Sequence, residues 1–255
     1  MRAVAVLNQK GGVGKTTTSV HLAHGMARLG EWVLGVDMDP QGHMGTSLGA
    51  DNRLPGLDRV LLDEERLVDH RQNVREYLDL VVAGPGLRSF ETLDEGGPER
   101  GWWLNEALYE LETQSAGEAP EWVVMDCPPS SGLLAMNALL AADDLVIPVA
   151  CDFLSLQGLS TLMQTLAKVE ERMQAASRKW LVLTRFQTRR RLSREVQETL
   201  VNHFPGQLLQ TPIRENVALA EAPGFGRTVF EYQATSNGAA DYAALVEDLR
   251  LGRVR

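Results

Sequence analysis

No segment constrains this 255-residue chain more than Gln9-Lys10-Gly11-Gly12-Val13-Gly14-Lys15-Thr16-Thr17. It follows an apolar run, Arg2 to Leu7, and opens a helical pattern, Gly14 to Leu29. Its glycines let the backbone curl so that successive N–H groups point at an anion. The helix N-terminus adds a dipole of the right sign. In such a loop Lys15 reaches the β- and γ-phosphates of a nucleotide, and the Thr16 hydroxyl ligates Mg²⁺. The usual spacing G-x-x-x-x-G-K-[ST] would place glycine where Gln9 stands. The pattern that fits is K-G-G-x-G-K-[ST]. The expected nucleotide-binding residues are therefore Gly11, Gly12, Val13, Gly14, Lys15, Thr16 and Thr17.

Apolar runs alternate with helical patterns along the rest of the chain. Strands are expected at Trp32 to Val36, Leu78 to Val82, Trp122 to Met125, Leu145 to Val149 and Trp180 to Leu183, with a weak one at Gln207 to Gln210. Helices are expected at Leu104–Glu112, Leu133–Ala141, Leu156–Ala175, Ser193–His203 and Ala239–Leu251. Continuous Val/Ile/Leu/Met runs suit strands buried on both faces. The alternation predicts a doubly wound α/β fold: a mostly parallel sheet with helices on both faces. One domain spanning residues 1–255 is expected. The Gly/Pro-rich stretch Gly84 to Gly101 reads as a surface loop. Two cysteines, Cys127 and Cys151, are too few for a disulfide framework or a four-thiolate metal site. No signal peptide and no membrane-spanning run is expected, so the expected location is the cytoplasm. The acidic C-terminal pattern reads as a packing helix rather than a membrane anchor.

Two strand ends carry carboxylates. Val36-Asp37-Met38-Asp39-Pro40-Gln41-Gly42 closes one, and Val123-Val124-Met125-Asp126-Cys127-Pro128-Pro129-Ser130 another. Ligands of such sheets bind at the carboxyl ends of the strands. A buried strand ending in Asp126 delivers one carboxylate to a Mg²⁺ coordination sphere. Asp37 reads as a structural carboxylate, and Cys127 as a packing or turn residue.

KGGVGKTT resembles the deviant Walker A loop of the ParA/MinD superfamily of ATPases. The D-x-D-P-Q and D-C-P-P-S blocks, with Asn137-Ala138-Leu139 behind them, resemble the two switch segments of that family. The similarity spans nearly the whole chain and is strongest from Arg2 to Leu48 and from Trp122 to Gln157. It implies ATP and Mg²⁺ as cofactors and slow ATP hydrolysis. It implies that Lys10 reaches the phosphates of a partner across an ATP-sandwich homodimer, and that Asp39 positions the attacking water and touches the Mg²⁺ shell. Lys10, Lys15 and Asp39 are thus the expected catalytic residues, and Thr16, Asp39 and Asp126 the metal-binding ones. Thr184 and Pro212 fall where the family places residues near the base. Thr211 to Pro223 resembles the partition-type I-P-R-N-V-R-L-x-E-A-P segment, with Arg214-Glu215 in place of Pro-Arg and Ala218 in place of the second arginine.

The net charge of −9 argues at first sight against a nucleic-acid partner. Regionally the charge divides. Arg88 to Glu121 holds nine acidic and two basic residues, while Arg178 to Arg194 holds seven basic and none acidic. Arg189 stands at the position of an arginine that partition-type relatives use on nonspecific DNA, and Arg190 and Arg191 extend it. The resemblance thus implies an ATP-bound dimer on nonspecific DNA at the nucleoid, a ParB-like partner that stimulates hydrolysis, and a positioned cargo. The alternatives are a MinD-like regulator, a metabolic enzyme similar to dethiobiotin synthetase, and an ATP-switched scaffold that uses the basic face on an acidic protein.

Overall fold

Alternate residues of the central strands bury in opposite layers, and this sets the architecture. Ala3 and Ala5 of the first strand face one core, while Val4 and Val6 face the other. The computed structural model describes residues 1–92, 97–114, 117, 119–173 and 176–255. Among them, seven strands form one sheet: β1 (Arg2–Val6), β2 (Val33–Asp37), β3 (Gln72–Arg75), β4 (Leu78–Val81), β5 (Trp122–Asp126), β6 (Asp144–Ala150) and β7 (Arg178–Thr184). Their spatial order is β3-β4-β2-β5-β1-β6-β7, parallel throughout except for the antiparallel edge strand β3.

The helices in chain order are α1 (Lys15–Ala27), α2 (His43–Leu48), α3 (Leu57–Leu62), α4 (Leu87–Phe90), α5 (Trp103–Gln114), α6 (Leu133–Ala141), α7 (Phe153–Met173), α8 (Arg191–His203), α9 (Val217–Glu221), α10 (Val229–Tyr232) and α11 (Asn237–Leu251). Leucines of α3, α5, α7 and α8 bury against one sheet face. On the other face α1 packs on α11, where His21 stacks on Tyr242 at 4.6 Å. Each fully buried Leu or Val contributes roughly 1.5–3 kcal/mol, so these apolar faces rather than intrinsic propensity hold the helices. Ser236 caps α11 by accepting the Ala239 N–H, and Tyr242, Leu245, Val246 and Leu249 of that helix are buried. Among the described residues no helix is long and apolar enough to cross a membrane.

Several expectations are corrected. Gln207 to Gln210 joins no ladder; Leu208 and Leu209 make only isolated bridges to Leu181 and Val254. Gly84 to Gly101 is not simply a surface loop. It contains α4, whose Leu87 and Phe90, three residues apart, are fully buried; residues 93–96 lie outside the described set. The edge strand β3 was not foreseen. The helix expected at Leu156–Ala175 begins earlier, at Phe153, and its last two positions fall outside the described residues.

Candidate functional site

The chain between β1 and α1 crosses the carboxyl edge of the sheet. Gly12 and Gly14 take positive φ values of 72° and 91°, a region that glycine enters without steric cost. Gly14 caps α1, and its carbonyl accepts the Thr18 N–H at 2.9 Å. The loop is held from two neighbouring strands. Asn8 Nδ2 donates to the Pro148 carbonyl of β6 at 2.8 Å, while Asn8 Oδ1 accepts the Lys10 N–H at 3.0 Å. The Thr184 hydroxyl at the end of β7 donates to the Val13 carbonyl at 2.8 Å. Lys15 is buried in the first turn of α1, and its Nζ donates to the Lys10 carbonyl at 3.3 Å. Burial lowers its pKa, while the Asp126 and Asp39 carboxylates pull it back up.

Asp37 and Asp126 end β2 and β5 as direct register partners, and both are fully buried. Their circumstances differ. Asp37 accepts the Gly45 N–H at 3.0 Å and the Asp39 N–H at 3.2 Å, which fixes the turn after β2. Burial, and then the adjacent Asp126 charge, hold its carboxyl well above the usual range. Asp126 Oδ1 accepts one hydrogen bond, from Ser19 Oγ at 2.8 Å, and Oδ2 is buried with no partner. Burial pushes the Asp126 pKa up to about 6, against the lowering effect of the Thr16 and Ser19 hydroxyls. A buried, orphaned carboxylate oxygen is costly, and a cation beside it removes the cost. Asp39 sits half-exposed in the turn, where its Oδ1 accepts the Gln41 N–H at 3.0 Å. Among the described residues no group of three or more His, Cys, Asp or Glu could hold a metal ion. A divalent ion here would need hydroxyl, water and phosphate oxygens as well, which is the coordination Mg²⁺ accepts.

Beside the loop lies a cleft of about 430 Å³, lined by Gly12, Val13 and Thr17 on one side and by Thr184, Asn216 and Tyr242 on the other. Thr184 is therefore at the site. Pro212 does not line the cleft; its neighbours Ile213 and Arg214 do. Arg214 Nη2 pairs with Asp241 Oδ1 of α11 at 2.6 Å, so this departure from the family pattern anchors a helix. Ala218, where the family pattern has its second arginine, is buried.

Lys10 folds back within its own chain. Its Nζ meets Asp152 Oδ1 at 2.7 Å and Ser155 Oγ at 2.9 Å, at the start of α7. Burial pushes Asp152 up, but its bonds from Lys10 and Ser155 hold the carboxyl below its usual value.

A family model described as an AAA domain matches residues 1–178. The chromosome-partitioning protein ParA of Myxococcus xanthus is 36% identical over 253 residues, covering 97% of this chain and 87% of that protein. The chromosome-partitioning ATPase Soj of Thermus thermophilus is 37% identical over 252 residues, covering 98% and 95%. The chain belongs to the ParA/Soj family of partition ATPases. Among solved structures, a cobyrinic acid a,c-diamide synthase from Mycobacterium smegmatis with bound ADP and magnesium superposes with a TM-score of 0.81. It is 28% identical and covers 98% of this chain and 94% of that one. A plasmid partition protein from Borrelia burgdorferi, 20% identical, has the same fold, with a TM-score of 0.76 and coverage of 98% of each chain.

Within this ParA/Soj chain the basic run does not form one face, and that reading is corrected. Arg178 and Lys179 lie at the amino end of β7, paired with Asp144 at 3.0 Å and with Glu170 at 2.7 Å. Arg185, Arg189, Arg190, Arg191 and Arg194 follow the carboxyl end of β7 and are exposed. Arg191 pairs with Glu195 at 2.6 Å. Asp144 and Glu170 come from outside the linear window, and Glu195 follows its last residue. Ser19, Asp152 and Ser155 were missed as site residues. Only Ser19 carried a signal, one helical turn after Lys15. Cys127 and Cys151 are buried, and burial pushes both thiols up, Cys151 to about 11.

Proposed function

We propose that this ParA/Soj-family chain, acting as one domain over residues 1–255, is a cytoplasmic ATP-driven partition switch. The buried, partnerless Oδ2 of Asp126, under the loop and electrostatically linked to the buried Lys15, carries this reading. ATP and Mg²⁺ occupy the loop and the cleft. Mg²⁺, when bound, would supply positive charge against the phosphates. Thr16 and Asp126 would hold the ion, with Asp39 beside them. The N–H groups of residues 11–17 and the Lys15 ammonium bind the phosphates, and Thr184 stands on the base side with Ile213, the neighbour of Pro212 that lines the cleft. Asp39 orients the attacking water. Without a stronger base, turnover in the isolated protein is slow, and a ParB-like partner accelerates it.

In this proposal two copies sandwich two nucleotides. Lys10 exchanges Asp152 for the partner's phosphates, where a second cation offsets developing charge. The dimer then binds nucleoid DNA without sequence preference through Arg189, Arg190 and Arg191, and hydrolysis releases it. Binding of random-sequence DNA at two salt concentrations tests this. The expected result is ATP-dependent binding that falls steeply with salt and is abolished by Arg189→Glu. Absent or salt-insensitive binding would contradict it and leave the basic turn to an acidic protein partner.

A further inference from the structure

Arg185 is one of three non-glycine described residues with positive φ, at 52°. Its backbone is pinned on both sides. Ile213 N–H donates to the Leu183 carbonyl at 2.7 Å, and Phe186 N–H donates to the Ile213 carbonyl at 3.0 Å. Thr184, immediately before it, holds the Val13 carbonyl, and Phe186, immediately after it, is buried. The left-handed turn thus delivers the side chain to the loop: a Cβ placed on Gly12 would lie 3.7 Å from Arg185 Nη2.

The guanidinium borders two cavities, the cleft beside the loop and a smaller one of about 170 Å³ that it shares with Asp152, Arg190 and Glu215. Neither nearby carboxylate pairs with it. Asp152 is held by Lys10 and Ser155, and Glu215 accepts from Gln187 Nε2. Arg178, Lys179 and Arg191 of the same run have carboxylate partners; Arg185, Arg189, Arg190 and Arg194 form no such pair among the described residues, and of these four Arg185 alone lines the cleft beside the loop. A pinned left-handed backbone therefore places a cation without a carboxylate partner beside a glycine loop of the kind that binds anions.

We infer that Arg185 grips the polyphosphate of the bound nucleotide within its own chain, across the cleft from α1. This rests on the reading that the loop binds ATP. Because Arg185 approaches Gly12 from the side of the cleft, it contacts phosphates common to ADP and ATP.

Fluorescent ADP and ATP analogues titrated with the full chain test the inference, using Arg185→Gly, Arg185→Lys and Lys15→Ala. Glycine keeps the left-handed turn without strain. Arg185→Gly should melt no lower than the parent yet bind both nucleotides roughly tenfold to hundredfold more weakly, the range a charge-assisted hydrogen bond supplies. Its affinity should also depend less steeply on salt than the parent's, and Arg185→Lys should recover part of the loss. Unchanged affinity in Arg185→Gly, an unchanged salt slope, or a lowered melting temperature would overturn the inference. Lys15→Ala separates the two readings. If it loses binding while Arg185→Gly does not, only the role of Arg185 falls. If Lys15→Ala binds as the parent does, the nucleotide site itself is misassigned and both fall.

Discussion

Asp126 and Asp144 are the same residue type, both fully buried, at opposite edges of one sheet. Asp144 opens β6. It accepts from Arg2 Nε at 2.6 Å and from Trp180 Nε1 at 2.6 Å, and pairs with Arg178 Nε at 3.0 Å. Burial pushes its pKa up, but these donors more than cancel it and hold the carboxyl below its usual value. Asp126 closes β5 with Ser19 bonded to one oxygen, the Thr16 hydroxyl acting on it as well and the other oxygen bare, and its pKa rises to about 6. One edge is stapled by a finished network; the other keeps an unfinished one. Charge satisfied within the chain serves folding. Charge left unsatisfied at the ligand-binding edge stores free energy that a cation releases on binding.

The largest expected effect lies at the stapled edge. Asp144→Ala strips the partner from Arg2 and Trp180 and should lower the unfolding free energy by about 1–3 kcal/mol, the cost of leaving polar groups unsatisfied, since Arg2 and Arg178 reach solvent. Urea denaturation measures it, and a loss under about 1 kcal/mol would erase the contrast. The smaller effect lies at the open edge and depends on pH. The Asp126 pKa is raised, so the folded protein takes up this proton on acidification before the unfolded chain does. A bound cation must then displace the proton. Mg²⁺ affinity in the presence of ADP should therefore fall roughly tenfold, about 1.4 kcal/mol, between neutral pH and pH about 5. The same titration in Asp126→Asn should keep only the shallower slope that protonation of the ADP phosphate supplies; a slope equal to the parent's would assign the proton to another group.

How much was legible follows from range. The loop from Lys10 to Thr17 is contiguous, and its chemistry needs only local spacing, so the sequence shows it. The inner strands announce themselves because both faces are buried. The edge strand Gln72–Arg75 has no apolar run and borrows its order from β4. The buried pair Leu87 and Phe90 hides among glycines and prolines. Gln207 to Gln210 has strand-like spacing but no continuous neighbour. At the site, Asp126 was visible as the end of an apolar run, whereas Ser19 and Asp152 reach it through contacts 107 and 142 residues away in sequence. The basic run failed for the same reason: Asp144 and Glu170 enter it only in three dimensions.

The central claim is that Asp126 is left unfinished in order to hold the Mg²⁺ of a hydrolysed nucleotide. Asp126→Asn tests it most directly when Mg²⁺-dependent ATP hydrolysis and the melting temperature are measured on the same preparation. The account predicts that hydrolysis falls by about 100-fold or more, while the ligand-free melting temperature holds or rises, because a buried charge has been removed and an oxygen is kept for Ser19. Hydrolysis that persists, or a melting temperature that drops as far as in Asp144→Ala, would contradict it.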